Sequence, residues 1–130
     1  MLRYLTITDL ITVYKMLEIR KSHIHGKGVF STQEIKENEI FNTTILHELN
    51  DSDKLFLSDY HYAKYDSNDI QNRFIALGPP TYYNHSEKPN TIINIKKDDN
   101  NFYVIESISL RNIKSEEEIT IKYSEEVKFN

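Results

Sequence analysis

The chain has 130 residues, 38% hydrophobic and 28% charged, with a net charge of −4 and no cysteine. That mixture predicts one soluble globular domain with a modest core. The missing thiols exclude disulfide scaffolds, thiolate zinc sites, iron–sulfur clusters and cysteine nucleophiles. An acidic balance argues against a binder of nucleic acid, which must neutralise phosphates, and favours approach of a basic partner. Glycine occurs only at Gly26, Gly28 and Gly78, too few for a Gly-x-Gly-x-x-Gly or Walker-type phosphate cradle. No apolar run is long enough to span a bilayer, and Met1-Leu2-Arg3-Tyr4 leads into no secretory segment. The expectation is an intracellular protein, cytoplasmic or nuclear, without signal peptide or membrane partner.

In chain order, Leu2, Leu5, Leu10, Val13, Tyr14 and Leu17 roughly follow helical spacing, with Thr8 or Asp9 as N-cap; a strand over part of that stretch fits nearly as well. Leu17-Glu18-Ile19-Arg20 alternates like a strand, Ser22 to Lys27 forms a turn, and Val29-Phe30 and Glu39-Ile40-Phe41 are further short strands. Asn38 sits where a tight turn needs a left-handed residue. Asp51 to Arg73, carrying Leu55, Leu57, Tyr60, Tyr62 and Tyr65, reads as helical or irregular. Gly78-Pro79-Pro80 stops any helix. Thr91–Ile95 and Phe102–Ser107 are strands flanking a polar turn over 97–101. Ile119-Thr120-Ile121-Lys122-Tyr123 alternates strictly, which puts Ile119, Ile121 and Tyr123 on one face and Thr120 and Lys122 on the other. Many short strands and little helix predict a mainly β fold, with no internal repeat.

Four segments, in order, resemble a SET-domain protein lysine methyltransferase of the minimal standalone kind found in viruses and bacteria. They are Gly26-Lys27-Gly28-Val29-Phe30 followed by Ile35–Ile40; Asp59-Tyr60-His61-Tyr62; Tyr83-Asn84-His85-Ser86-Glu87-Lys88-Pro89-Asn90; and Ile113–Tyr123 with its Glu-Glu-hydrophobic ending. The resemblance covers 17–123, leaving 1–16 as an N-terminal extension and 124–130 as a short tail. It implies a fold of several small sheets with a C-terminal pseudoknot and few short helices, bringing Asn84 beside Tyr123. It also implies S-adenosylmethionine as cofactor (S-adenosylhomocysteine as product) and a protein substrate with a target lysine, histone-like or otherwise basic. Gly26, Lys27, Gly28, Asn84 and His85 would then bind cofactor, Tyr123 would be catalytic, and Tyr60, Tyr62 and Tyr83 would line the lysine channel. No metal is implied. A SET-fold module that binds peptides with weak catalysis is the alternative.

Taken singly, these residues fit ordinary structure: Tyr123 ends a core strand, Asn84 and Ser86 form turns, and His85 is a core histidine. Their ordered company is what points to a site. His23 and His25 lack a third ligand at useful spacing. Glu116-Glu117-Glu118 and Glu125-Glu126 read as a solvated acidic face. Asn38 and Ser115 stand where the family usually has glycine, and serine tolerates positive φ poorly. With no cysteine cluster after the domain, closure of the site falls to 124–130, including Phe129, or to a second subunit in a homodimer.

Overall fold

The computed structural model describes residues 16–50, 62–65 and 71–123. Among the described residues, runs of β-branched and aromatic residues between polar turns form nine short strands. β1 (Leu17–Lys21) and β2 (Lys27–Ser31) make an antiparallel hairpin, Leu17 opposite Ser31 and Lys21 opposite Lys27. Its loop closes where the Ser22 amide donates to the Gly26 carbonyl at 2.8 Å. Gly26 there takes φ 44°, a backbone state that penalises any Cβ.

β3 (Ile40–Glu48), β4 (Tyr62–Tyr65), β5 (Gln71–Ala76), β7 (Thr91–Lys97) and β8 (Tyr103–Ser109) build a five-stranded sheet in the order β4-β5-β3-β8-β7. The register slips between Ile40 and Asn42, a bulge that puts Phe41 into the core. The β7–β8 turn is held by the Asp98 carboxylate, which accepts the amides of Asn100 and Phe102, each at 2.9 Å. Left-handed Asn101 (φ 67°) completes it. β6 (Asn84–His85) pairs in parallel with β9 (Thr120–Ile121), Asn84 opposite Thr120.

Val29, Ile35, Phe74, Ile105, Ile113 and Ile119 are fully buried in one cluster with Tyr83 and Ile121. Each contributes roughly 1.5–3 kcal/mol relative to exposure. At its centre Ile35 and Ile113 exchange backbone hydrogen bonds, at 2.9 and 2.8 Å. A turn follows each isoleucine. In the first, Glu39 accepts the Lys36 amide on its side chain at 3.1 Å and Asn38 is left-handed (φ 63°). In the second, Glu117 accepts the Lys114 amide at 3.0 Å and Glu116 is left-handed (φ 71°). The Asn38 amide donates to Ser109 O and the Glu116 amide to Ser31 O. The chain thus carries a short structural repeat that its composition does not advertise.

The second turn also delivers the C-terminal segment to two partners. Ser31 N donates to Glu117 O at 2.9 Å and Ile119 N to Val29 O at 2.7 Å, after which the backbone crosses to β6. Asn84 and the C-terminal segment therefore lie side by side, as the resemblance implies.

Several expectations are corrected. Within Asp51–Arg73 the described residues are strand, because β4 and β5 pair through Tyr62 opposite Phe74 and Tyr65 opposite Gln71. Pro79-Pro80 heads a short 3-10 turn (Pro79–Tyr82) as well as ending what precedes it, since proline lacks only an amide that the first turn would leave unused. The second turn places its left-handed residue at Glu116 and not Ser115, because position 116 is the equivalent of Asn38. The alternation over 119–123 yields only a two-residue strand: Thr120 is buried with Ile119 and Ile121, because Asn90 binds it from both sides. The proposed elements over 1–15 and 124–130, and Tyr60, lie outside the described residues.

Candidate active site

Asn84 is the hub. On β6, next to β9, its side chain is buried, and its Nδ2 group meets His25 O at 3.1 Å, Lys27 O at 3.1 Å and Glu118 Oε2 at 2.8 Å. The amide thereby ties the Gly26–Gly28 loop to the C-terminal segment. Gly28 sits directly against this contact: a Cβ there would stand 2.5 Å from Glu118 Oε2. Gly26 has open space on the corresponding side. The other Glu118 oxygen accepts the Ser22 hydroxyl at 2.7 Å, and Ser22 Oγ in turn accepts the Ile24 amide at 2.9 Å.

Asn90 secures the same segment from below. Its Oδ1 accepts the Thr120 amide at 2.9 Å, and its Nδ2 donates to Glu118 O at 2.7 Å and Glu117 Oε2 at 3.2 Å. Arg111 Nη2 meets Glu117 Oε2 at 2.5 Å. Arg111 above all, with the Lys114 amide and Asn90, holds the Glu117 carboxyl down to about 2 against the opposing effect of burial.

His85 and Tyr123 are locked together. The Tyr123 amide donates to His85 Nδ1 at 2.9 Å, so a neutral imidazole carries its proton on Nε2. That nitrogen lies 2.9 Å from Glu87 Oε1, and Glu87 is also paired with Lys122 at 3.4 Å. The two rings stand 5.2 Å apart, tilted by 56°. The Tyr123 hydroxyl donates to Tyr83 O at 2.5 Å. Burial, and then the Glu118 charge, raise the Tyr123 pKa above the ordinary phenol value. A half-buried phenol beside a carboxylate stays protonated at neutral pH.

Tyr62 and Tyr83 stand behind this arrangement. Tyr62 donates its hydroxyl to Pro80 O at 2.5 Å, and the Tyr83 hydroxyl pairs with Ser107 Oγ at 2.7 Å. Burial pushes both phenols up strongly. Tyr83 is 2% exposed, so its carbonyl, and not its hydroxyl, is what reaches Tyr123. Lys27 Nζ lies 5.9 Å above the Tyr82 ring. Tyr82 also borders a mostly apolar groove of about 590 Å³, shared with Leu17, Glu18, Ile19, Gly78, Pro79 and Thr81. That volume falls within the range of small-molecule sites, roughly 300–1,000 Å³. Among the described residues no three His, Asp or Glu side chains gather as a metal-ligand set.

Sequence reasoning missed Glu118 and Ser22. Glu118 stands in a run of glutamates that reads as a solvated acidic face, yet it is half-buried against Gly28, Ser22 and Asn84. The usable signal was the parallel between Ile35-x-x-Asn38-Glu39 and Ile113-x-x-Glu116-Glu117, which sets the three glutamates in different directions.

A parallel pairing that brings an Asn-His pair against a C-terminal tyrosine, beside a small-sheet β core, defines a class. Residues 26–124 match the SET domain. The chain belongs to the SET-domain family, and its enzyme class is protein-lysine N-methyltransferase. A Schizosaccharomyces pombe protein described as a histone-lysine N-methyltransferase, H3 lysine-37 specific, is 29% identical over 123 residues, which span 87% of this chain and 76% of that protein. The crystal structure of a proposed histone methyltransferase from Plasmodium falciparum matches with a TM-score of 0.70 at 31% identity, covering 85% of this chain and 94% of the other.

Proposed function

We propose that the methyl donor is S-adenosylmethionine and the acceptor the ε-amine of a lysine in a basic protein, of which a histone is the type named for both relatives. One observation carries this reading: Tyr123 is held by both its amide and its hydroxyl against the β6 segment, at His85 Nδ1 and Tyr83 O. The residues present fit such a donor. Gly26 offers backbone with open space at its Cα, the groove beside Tyr82 offers an apolar surface for a flat ring, and Glu118 offers negative charge near a cationic centre. In this assignment Gly26, Lys27, Gly28, Asn84 and His85 hold the donor. When bound, a sulfonium supplies an electrophilic methyl group for in-line displacement.

The protein's task is then positioning and protonation control. The incoming lysine must be neutral, against an ordinary pKa of about 10.4; entry into an aromatic, partly dry site beside a cation lowers it by desolvation and like-charge repulsion. With a sulfonium bound, the Tyr123 hydroxyl oxygen, beside the Tyr83 carbonyl oxygen, would orient the amine and the donor's methyl hydrogens through weak C–H···O contacts. With its pKa raised, Tyr123 orients and does not take the proton as a base. In this assignment Tyr62 and Tyr83 back the lysine channel from the core, and the resemblance alone adds Tyr60 to it. The net charge of −4 favours a basic substrate. In this assignment a second copy closes over the reacting groups, and the working compartment is cytoplasm or nucleus.

Incubation with labelled S-adenosylmethionine and histones, followed by mass spectrometry, tests the reading: label on lysine is expected. Label on no protein, with cofactor bound, overturns the acceptor assignment and favours a peptide-binding module. Tyr123→Phe is expected to cost about a hundredfold or more in kcat, the scale of loss when one preorganised polar group is removed, with the melting temperature little changed. An unchanged rate removes Tyr123 from the mechanism.

A further inference from the structure

Glu118 is the carboxylate that meets Asn84. It is half-buried, and both its oxygens are engaged by neutral donors, Ser22 Oγ at 2.7 Å and Asn84 Nδ2 at 2.8 Å. Among the described residues no cationic side chain pairs with it, whereas Glu18, Glu87, Glu106, Glu116 and Glu117 each have one. Its carboxylate fills the space that Gly28 leaves by lacking a side chain. The contacts on either side of it are not local: Ser22 anchors the β1–β2 loop through the Ile24 amide, and Asn84 reaches the carbonyls of His25 and Lys27 in the same loop.

We propose that Glu118 is a positioning residue that fastens the 22–28 loop to Asn84, so that loop and β6 present one rigid surface to the donor. The inference rests on the assignment of S-adenosylmethionine as donor. Its physical basis is connectivity. Without the carboxylate, Ser22 loses its acceptor and Asn84 its shortest contact, and the exposed loop around His23, Ile24 and His25 keeps only the Asn84 amide as its side-chain link to β6. The residue sits where bound donor would need order most, at the junction of the two elements assigned to hold it. Loosening it therefore weakens cofactor binding more than it slows transfer from the filled site. Charge adds a second effect: the carboxylate opposes ionisation of Tyr123, so a neutral replacement lets that phenol ionise at lower pH.

Three variants separate tether from charge. Ser22→Ala removes the tether and keeps the charge; Ser22→Thr restores the hydroxyl. Glu118→Gln keeps an acceptor for Asn84 and a donor for Ser22 Oγ but removes the charge. Calorimetric titration with S-adenosylhomocysteine and steady-state kinetics are the measurements, with circular dichroism to check folding. Hydrogen bonds to charged groups are strong enough that Ser22→Ala should weaken binding about tenfold, with kcat at saturating donor within about threefold. Ser22→Thr should return to within about twofold of wild type. Glu118→Gln should weaken binding by about threefold and move the alkaline limb of the kcat profile to lower pH, a shift Ser22→Ala should not show.

Wild-type affinity in Ser22→Ala overturns the inference while leaving the cofactor reading intact. So does a fall in kcat with affinity unchanged. A wild-type chain that binds no S-adenosylhomocysteine overturns the cofactor reading and this inference with it. If Glu118→Gln fails to fold, the Ser22 pair still decides.

Discussion

At residues 35–39 and again at 113–117 the chain makes the same turn, each opened by an isoleucine and closed by a glutamate that accepts the amide of a lysine three residues earlier. The two isoleucines bond to each other. Beyond the turns the two segments diverge. The first continues into Ile40, half-exposed, which enters β3 and the main sheet. The second continues into Glu118, turned against Gly28 and Asn84, and then the strand that leads to Tyr123. One backbone device serves architecture in one place and chemistry in the other, and the change of use lies in the side chain just past the turn. A site can be added to a fold in this way without a new backbone solution.

The comparison can be broken at its shared point. Ile113→Ala opens a cavity beneath both turns and is expected to cost about 2–5 kcal/mol in denaturant unfolding, with activity falling only as far as folding does. A cost below about 1 kcal/mol would mean the two turns are independent. Ile35→Ala should match it.

The closing glutamates sharpen the contrast. The Glu117 carboxyl is held at about 2, below its unfolded value of about 4.3, chiefly by Arg111. A depressed pKa stabilises the fold above the unfolded value, and that gain is lost as pH falls from about 4.3 through about 2. The linkage is worth at most about 3 kcal/mol, reduced by solvent screening because the Arg111 side chain is 51% exposed. Glu117→Gln should therefore flatten the acid limb of the stability profile, whereas Glu39→Gln should cost only about 0.5–1.5 kcal/mol for its turn contact. Equal acid limbs in wild type and Glu117→Gln would dismiss the Arg111 pairing.

The smallest effect lies at the left-handed residues. Glu116 has a Cβ that this backbone state penalises by roughly 1–2 kcal/mol, and it forfeits only surface contacts with Arg20 and the Ser115 hydroxyl when replaced. Glu116→Gly is expected to raise stability by about 0.5–1 kcal/mol, a few degrees in melting temperature. Asn38→Gly, starting from a residue that accepts the conformation, should stay within about 0.5 kcal/mol.

The sequence carried the fold wherever side chains alternate against one core. Thr91–Ile95 could be read because alternation and burial agree there, whereas over Leu17–Arg20 the alternation found the strand although Ile19 is exposed. Tyr62 misled because tyrosines in a polar middle segment mimic helical spacing, and only pairing with Phe74 across a sheet makes the segment strand. The β9 alternation misled because Asn90, remote in sequence, buries the face that would otherwise be polar. Within the candidate site, Asn84, His85 and Tyr123 stood out as motif letters, but the reason they meet did not. Glu118 was hidden among identical neighbours, since the direction each glutamate takes depends on the single left-handed residue at 116. Such a dependence is a matter of backbone geometry and leaves no trace in composition.

The parallel pairing of β6 with β9 has a consequence for how the protein comes into being. Residues 116–123 are held by β2, β6 and Asn90, all earlier in the chain. Contacts that span such distances form slowly, since the loops they close must be ordered first. During synthesis the ribosome releases Glu118 and Tyr123 after every group that receives them. The amides of Ile119 and Tyr123 should accordingly gain protection from exchange last in a pulse-labelling experiment, after those of β3 and β8. Until that moment the chain carries a sheet and no active site, so an unfinished molecule is silent and activity begins only when the final crossing is made.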